Sequence, residues 1–213
     1  MPALPLLIVA TPSPFARKVR VAMLEKGVAF DVEVDNPWNP GSQAGRHNPL
    51  GKIPVLMTPE DGAIFDSKVI VEYLEAKWPA QALLPAAPLA RVEARLVEAL
   101  ADGVCDAVVL IVLERARPTE RRSDDWLARQ MAKVAAGVAQ AERRLGDRTW
   151  YVGDAFGIAD IAVGCMLGYL DLRLPKYAWR RDAPRLVALF DRLSDRGSFR
   201  ATVPSAQTIA SVR

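Results

Sequence analysis

Two short stretches of this 213-residue chain carry groups suited to holding a small polar ligand. The first is Asn48-Pro49-Leu50-Gly51-Lys52-Ile53-Pro54-Val55-Leu56. Asn48-Pro49 initiates a turn, and Gly51 permits a tight bend. Ile53, Val55 and Leu56 then read as strand. Pro54 interrupts them; it cannot donate to a ladder and marks an edge, a strand start or a bend. A cis peptide at Ile53-Pro54 fits such a place, because only X-Pro bonds adopt cis at low cost. The bend would turn the N–H and C=O of Ile53 outward, where a peptide-like ligand could pair with them as an added strand. The second stretch, Phe65-Asp66-Ser67, closes a short strand and opens a helix. It offers a hydroxyl, a carboxylate and open backbone N–H groups at a helix N-terminus, where an anion is stabilised. Either stretch alone reads equally as a plain turn or N-cap. The two together, separated by a hairpin, are specific.

The elements around them follow from periodicity. Leu6 to Ala10 is a short buried strand, punctuated by Thr11-Pro12-Ser13-Pro14. Pro14 suits the first turn of a helix, where its missing N–H costs nothing. That helix shows Phe15, Val19, Ala22 and Met23 on one face and Arg17, Lys18 and Glu25 elsewhere, and Gly27 ends it. Val28 to Val34 alternates as a second strand. Residues 36–45 form a loop with at most one irregular helical turn. Strand three is the opening stretch, strand four is Ala63 to Phe65, and Ser67 to Trp78 is a helix stopped by Pro79. The order predicts a small α/β sandwich on a mixed four-stranded sheet. Residues 1–79 are therefore one domain, 80–88 an alanine- and proline-rich linker, and 89–213 an all-helical domain.

In the helical part, Leu89, Val92, Leu96, Leu100, Ala107 and Ile111 form one stripe of a long helix. A second helix runs from Ser123 to Leu145, with Trp126, Met131, Val134, Val138 and Leu145 as core. Ile158 to Leu172 is apolar on nearly every face and so central. Asp182 to Asp195 is a fourth helix, and Ser198 to Arg213 is a turn and a tail that covers part of the site.

Composition excludes several classes. The 28 basic and 25 acidic residues leave a net charge of +3, with no basic stripe interleaved with aromatics, so a nucleic-acid partner is not expected. The apolar run Ala107 to Leu113 is far below the roughly 18 residues that span a bilayer. The N-terminus lacks a basic leader and cleavage site. Cys105 and Cys165 have no metal-ligand spacing and read as buried thiols outside any disulfide, which suits a reducing compartment. His47 has no metal partner in sight. The expectation is a cytoplasmic protein without a metal.

Three segments resemble one family. Ser13-Pro14-Phe15-Ala16-Arg17-Lys18-Val19-Arg20 resembles a glutaredoxin-type active-site turn with serine and alanine at the two cysteine positions. Asn48 to Leu56 and Asp66-Ser67 resemble the glutathione-binding elements of the cytosolic glutathione S-transferase superfamily. Gly157-Ile158-Ala159-Asp160-Ile161-Ala162 resembles that superfamily's folding motif at the start of a central helix. The resemblance spans essentially the whole chain. It implies an N-terminal thioredoxin-like domain, a C-terminal helical bundle and a homodimer.

It also implies roles. Ile53 would pair its backbone with the cysteinyl part of glutathione, and Asp66 and Ser67 would hold the γ-glutamyl end. Lys52 either reaches the glycine carboxylate or stands solvated. Ser13 either donates a hydrogen bond to the glutathione sulfur, favouring the nucleophilic thiolate, or is only an N-cap ahead of Pro14; Thr11 is the competing hydroxyl. Asp102 either reaches the γ-glutamyl ammonium across the dimer interface or is a solvated helix acid. Phe15, Cys105 and Val109 either line a hydrophobic-substrate pocket or pack in the core. The first motif is closest to the omega-type pattern, with Ser13 at the cysteine position, which removes the mixed-disulfide route. Gly157 stands where the folding motif usually has serine or threonine; Asp160 can still reach back to the Gly157 N–H, a structural role. The implied activity is a bacterial, serine-type transferase that conjugates the thiolate of its co-substrate glutathione to a small, hydrophobic electrophile. A glutathione-binding protein without turnover, in sensing or regulation, is the alternative.

Overall fold

Short apolar runs broken by Gly and Pro produce four strands, and longer periodic segments produce helices. The computed structural model describes residues 3–207. Within them the chain forms two compact units, 3–83 with 198–207, and 84–197. The sequence-derived boundaries at 79 and 89 would leave residues 198–207 with the helical bundle, whereas here they pack with the sheet unit.

In the sheet unit, β1 (Leu6–Val9), β2 (Asp31–Val34), β3 (Val55–Thr58) and β4 (Gly62–Phe65) lie in the order β2-β1-β3-β4. β2 runs parallel to β1 across α1 (Pro14–Glu25), while β3 and β4 are antiparallel. This is the mixed four-stranded sheet that the order of elements predicts. The short helix α2 (Ala44–His47) precedes β3, and α3 (Ser67–Lys77) follows β4. Leu7, Ile8, Val55 and Leu56 of the central strands are buried, together with Val19, Ala22 and Met23 of α1 and Ile70, Val71 and Leu74 of α3. Edge strand β2 departs from the expected alternation: all four of its residues are exposed. Arg17 and Lys18, read from sequence as lying off the apolar face of α1, are buried as well.

The helical unit is built on α4 (Pro88–Ala116), α5 (Asp124–Leu145) and α6 (Ile158–Arg173), followed by α7 (Trp179–Asp182) and α8 (Pro184–Ser194). Ser123 caps α5, its Oγ accepting from the Trp126 N–H at 3.2 Å, as a Ser-Asp start signal should. α6 buries every residue from Ile158 to Leu170 and is the central helix that its apolar sequence predicts. The apolar stripe of α4 divides differently from expectation. Ala107 and Ile111 are buried, but Leu89, Val92 and Leu96 are exposed. The inward face of that half is instead Ala94, Val97, Ala101 and Val104. Small residues let helices approach closely: a Cβ on Gly137 of α5 would lie 2.2 Å from Val104 Cγ2. The larger leucines are left outside. On α5, Trp126 is likewise exposed, and Gln130 takes a core position.

Candidate functional site

Strand directions gather three segments at one end of the sheet. Ile8 pairs with Val55 and Val55 with Phe65, both antiparallel. The C-terminal end of β1, the start of β3 and the C-terminal end of β4 therefore lie together. Ser13 follows the first, Ile53-Pro54 precedes the second, and Asp66-Ser67 follows the third.

Ser13 is the N-cap of α1. Its Oγ accepts the Ala16 N–H at 3.2 Å, and Pro14 occupies the first helical position. The hydroxyl proton of Ser13 has no acceptor among the described residues, and it sits at the positive end of a 12-residue helix. Thr11, the competing hydroxyl, differs. Its Oγ1 donates to the carbonyl of Ser205 at 3.2 Å, and its own carbonyl accepts the Ser205 N–H at 3.4 Å.

The turn before β3 is organised by Asn48, which is buried. Its Oδ1 accepts the Leu50 N–H at 3.0 Å, its Nδ2 donates to the Lys52 carbonyl at 2.8 Å, and its carbonyl accepts the Gly51 N–H at 2.8 Å. Gly51 takes φ 60°, which favours glycine. Ile53-Pro54 is cis, as the sequence suggests. Ile53 lies outside both ladders, and its N–H and C=O make no hydrogen bond among the described residues. Lys52 is exposed. The side-chain clamp by Asn48 is the part sequence reasoning missed; Asn-Pro with Gly three residues on was its signal.

Asp66 caps α3 with φ 70° and ψ 128°, a sparsely populated conformation for a residue with a Cβ. Its Oδ1 accepts the Lys68 N–H at 2.8 Å, and its carbonyl accepts the Ile70 N–H at 2.9 Å. The second carboxylate oxygen has no hydrogen-bond partner among the described residues, and Asp66 is exposed. Ser67 beside it is buried, yet neither its hydroxyl nor its N–H has a partner among the described residues. One end of the sheet thus presents a carboxylate oxygen, two hydroxyls, two open peptide groups and two helix N-termini. That set matches a small zwitterionic peptide bearing a nucleophilic or anionic centre.

Residues 12–77 match the glutathione S-transferase N-terminal domain, and residues 124–192 the C-terminal domain. The uncharacterized GST-like protein YibF of Escherichia coli K12 is 42% identical over 192 residues, covering 90% of this chain and 95% of that protein. The chain belongs to the glutathione S-transferase superfamily. Among solved structures, a glutathione S-transferase of Methylobacterium radiotolerans, in complex with glutathione sulfonate, superposes with a TM-score of 0.96 at 48% identity. That match covers 99% of this chain and all of the other. A glutathione S-transferase of Methylobacillus flagellatus with glutathione bound gives 0.91 at 41% identity, over 94% of this chain and all of that one.

The superfamily's thioredoxin-like and helical domains are both present here. Phe15 is half-buried on α1. On α4, Asp102, Cys105 and Val109 share a helical face; the first two are buried and Val109 is half-buried. Asp102 is therefore not the solvated helix acid that one sequence reading allowed. Cys165 is buried too. Asp160 of the folding motif is structural: Oδ2 accepts the Gly157 N–H at 2.9 Å, as expected, and Oδ1 accepts the Tyr151 N–H at 3.0 Å, which the sequence does not reveal. Burial pushes the Asp160 carboxyl up to about 6, against the pull of those donors. Among the described residues no three His, Cys, Asp or Glu side chains cluster as metal ligands, and no helix is long and apolar enough to cross a membrane.

Proposed function

We propose that this chain is a serine-type bacterial glutathione S-transferase that joins the thiolate of glutathione to a small, hydrophobic electrophile. The observation that carries this reading is the uncommitted hydroxyl proton of Ser13, at the N-terminus of α1 and the same sheet end as the open peptide of Ile53. Donor and helix dipole together favour thiolate over thiol. In the reaction the sulfur forms a bond to an electrophilic carbon. The thiol proton passes to solvent, and either a leaving group departs with its bonding pair or the π pair of an activated double bond shifts to the far atom, which then takes a proton from solvent.

Each site group has a part. Ile53 pairs with the cysteinyl backbone as an added strand. The Asp66 carboxylate receives the γ-glutamyl ammonium, and the Ser67 N–H and hydroxyl receive the γ-glutamyl carboxylate at a helix N-terminus. Lys52 meets the glycine carboxylate. The glutathione sulfonate and glutathione carried by the two homologous structures support the choice of ligand. Buried Cys105 and Cys165 fit a reducing cytoplasm.

Ultraviolet thiolate absorbance, followed over pH as glutathione is titrated in, tests the reading. The expected result is saturable binding with the thiol pKa at least a unit below the roughly 8.5 of an ordinary cysteine. Binding without turnover across a broad electrophile panel would mark a glutathione-holding protein instead. No binding at millimolar glutathione would reject both.

A homodimer belongs to the same reading. Leu89, Val92 and Leu96 of α4 are 85, 63 and 46% exposed and form a continuous apolar stripe at helical spacing. Pro88, Arg91 and Arg95 line a shallow groove with Val92 and Leu96. Sedimentation equilibrium should return about twice the 23.3 kDa chain mass, and Leu89→Glu should return the single mass; a monomeric parent chain removes the dimer.

A further inference from the structure

We infer that residues 198–205 act as a clamp that positions the Ser13 turn, and that Thr11 is the positioning residue through which the clamp acts. This rests on the transferase reading of Ser13. The segment lies along α1 at successive points. The Ser198 hydroxyl bonds Glu25 near the C-terminal end of the helix. Midway, Arg20 Nη2 donates to the Ala201 carbonyl at 3.2 Å. One turn earlier, Arg17 Nη2 donates to the Phe199 carbonyl at 3.3 Å and Nε to Thr202 Oγ1 at 3.4 Å, with the guanidinium 5.0 Å from the centre of the Phe199 ring. Phe199, Thr202 and Arg17 are all buried. This is a fixed anchor, and Thr202 Oγ1 stiffens it further by donating to the Ser198 carbonyl at 2.8 Å.

From that anchor the chain runs to Ser205, which closes a two-bond ring with Thr11. On its other side the turn is held by α1, where the Oγ and carbonyl of Ser13 accept the Ala16 and Arg17 N–H groups. Pro12 and Pro14 carry no N–H, and the Ser13 N–H bonds locally to Ala10 at 3.0 Å. The ring with Ser205 ties the turn to a segment more than 190 residues away in sequence. The groups assigned to holding glutathione stand on other segments, Ile53 in the turn before β3 and Asp66 and Ser67 at the start of α3. Loosening the clamp therefore moves the sulfur's donor and leaves the binding groups in place. Small misplacements of a catalytic group reduce the chemical step far more than they reduce binding.

The test compares Thr11→Val, Thr11→Ser and Ser205→Pro in the full chain. Valine keeps the shape of threonine and removes the hydroxyl; proline removes the Ser205 N–H and leaves Thr11 untouched. The expected result for Val and Pro is a fall in kcat of about tenfold with KM for glutathione within about twofold. The thiolate limb of the pH profile should move to higher pH, and Thr11→Ser should restore both. Amide exchange of the Ser13 N–H, read by NMR, should quicken in the same two variants. Unchanged kcat and exchange overturn the clamp. A rise in KM at constant kcat also overturns it, because Thr11 is then a binding group. If the unmodified chain shows no turnover, the transferase reading fails by itself, and Ser13 exchange still decides whether the clamp exists.

Discussion

Replacing Ser13 with alanine should reduce kcat/KM for conjugation by roughly a hundredfold, the usual cost of removing one preorganised donor to a developing or stabilised anion. It should also return the thiol pKa of bound glutathione toward its free value. Two effects are mixed in that variant. Ser13 Oγ is also the acceptor for the Ala16 N–H, and losing an N-cap costs about 1 kcal/mol of stability. Ser13→Thr separates them, because threonine keeps both the cap and the donor. The expected pattern is a large activity loss for Ala, near-full activity for Thr, and a melting temperature for Ala lower by only a few degrees. Glutathione affinity should change little, since Ile53, Asp66 and Ser67 carry the holding. If Ser13→Ala leaves the bound thiol pKa and the turnover where they were, Ser13 is not the activating group. Thr11 would be a poor replacement candidate, because its proton is already given to Ser205.

What could be read from sequence divides by range. The Asn48–Leu56 turn, the bend at Pro54 and the Asp66-Ser67 cap are set by residues within a few positions of one another, and turn chemistry alone predicts them. The sheet followed from the order of short apolar runs. Apart from the local Asn48 clamp, the failures involve partners far apart in sequence. Arg17 reads as a solvated helix arginine until Phe199 and Thr202 arrive to bury it. Thr11 competes with Ser13 as the donor until Ser205 binds it. Leu89, Val92 and Leu96 fit a core stripe at least as well as the alanines and valines that actually pack inward. Periodicity reports that a face is apolar but not which of two apolar faces the core takes. Here the close approach at Gly137 selects the smaller residues.

The same limit applies to Asp160, whose reach to Gly157 is local and legible, whereas its bond to Tyr151 depends on how the preceding loop folds back. Replacing Asp160 with alanine should destabilise the chain by about 2 kcal/mol or more at neutral pH, because two backbone N–H groups lose their buried acceptor. For a chain of this size that is a fall in melting temperature of roughly 4–8 °C. The pH dependence carries further information. Burial raises the folded-state pKa to about 6, from an ordinary 3.8. Between those values the folded chain keeps a proton that the unfolded chain has released, so the contribution of Asp160 is fully present below about pH 4 and declines as pH rises through 6. The alanine variant lacks this titration. Its stability deficit relative to the parent should therefore widen on acidification from pH 7 to 4, by up to ~3 kcal/mol. Denaturant unfolding of both proteins across that range measures the gap. A gap that narrows on acidification would mean that the two N–H donors outweigh burial and hold the carboxylate ionised. Asp160 would then be a charged cap, with its stabilising effect lost in acid instead of gained.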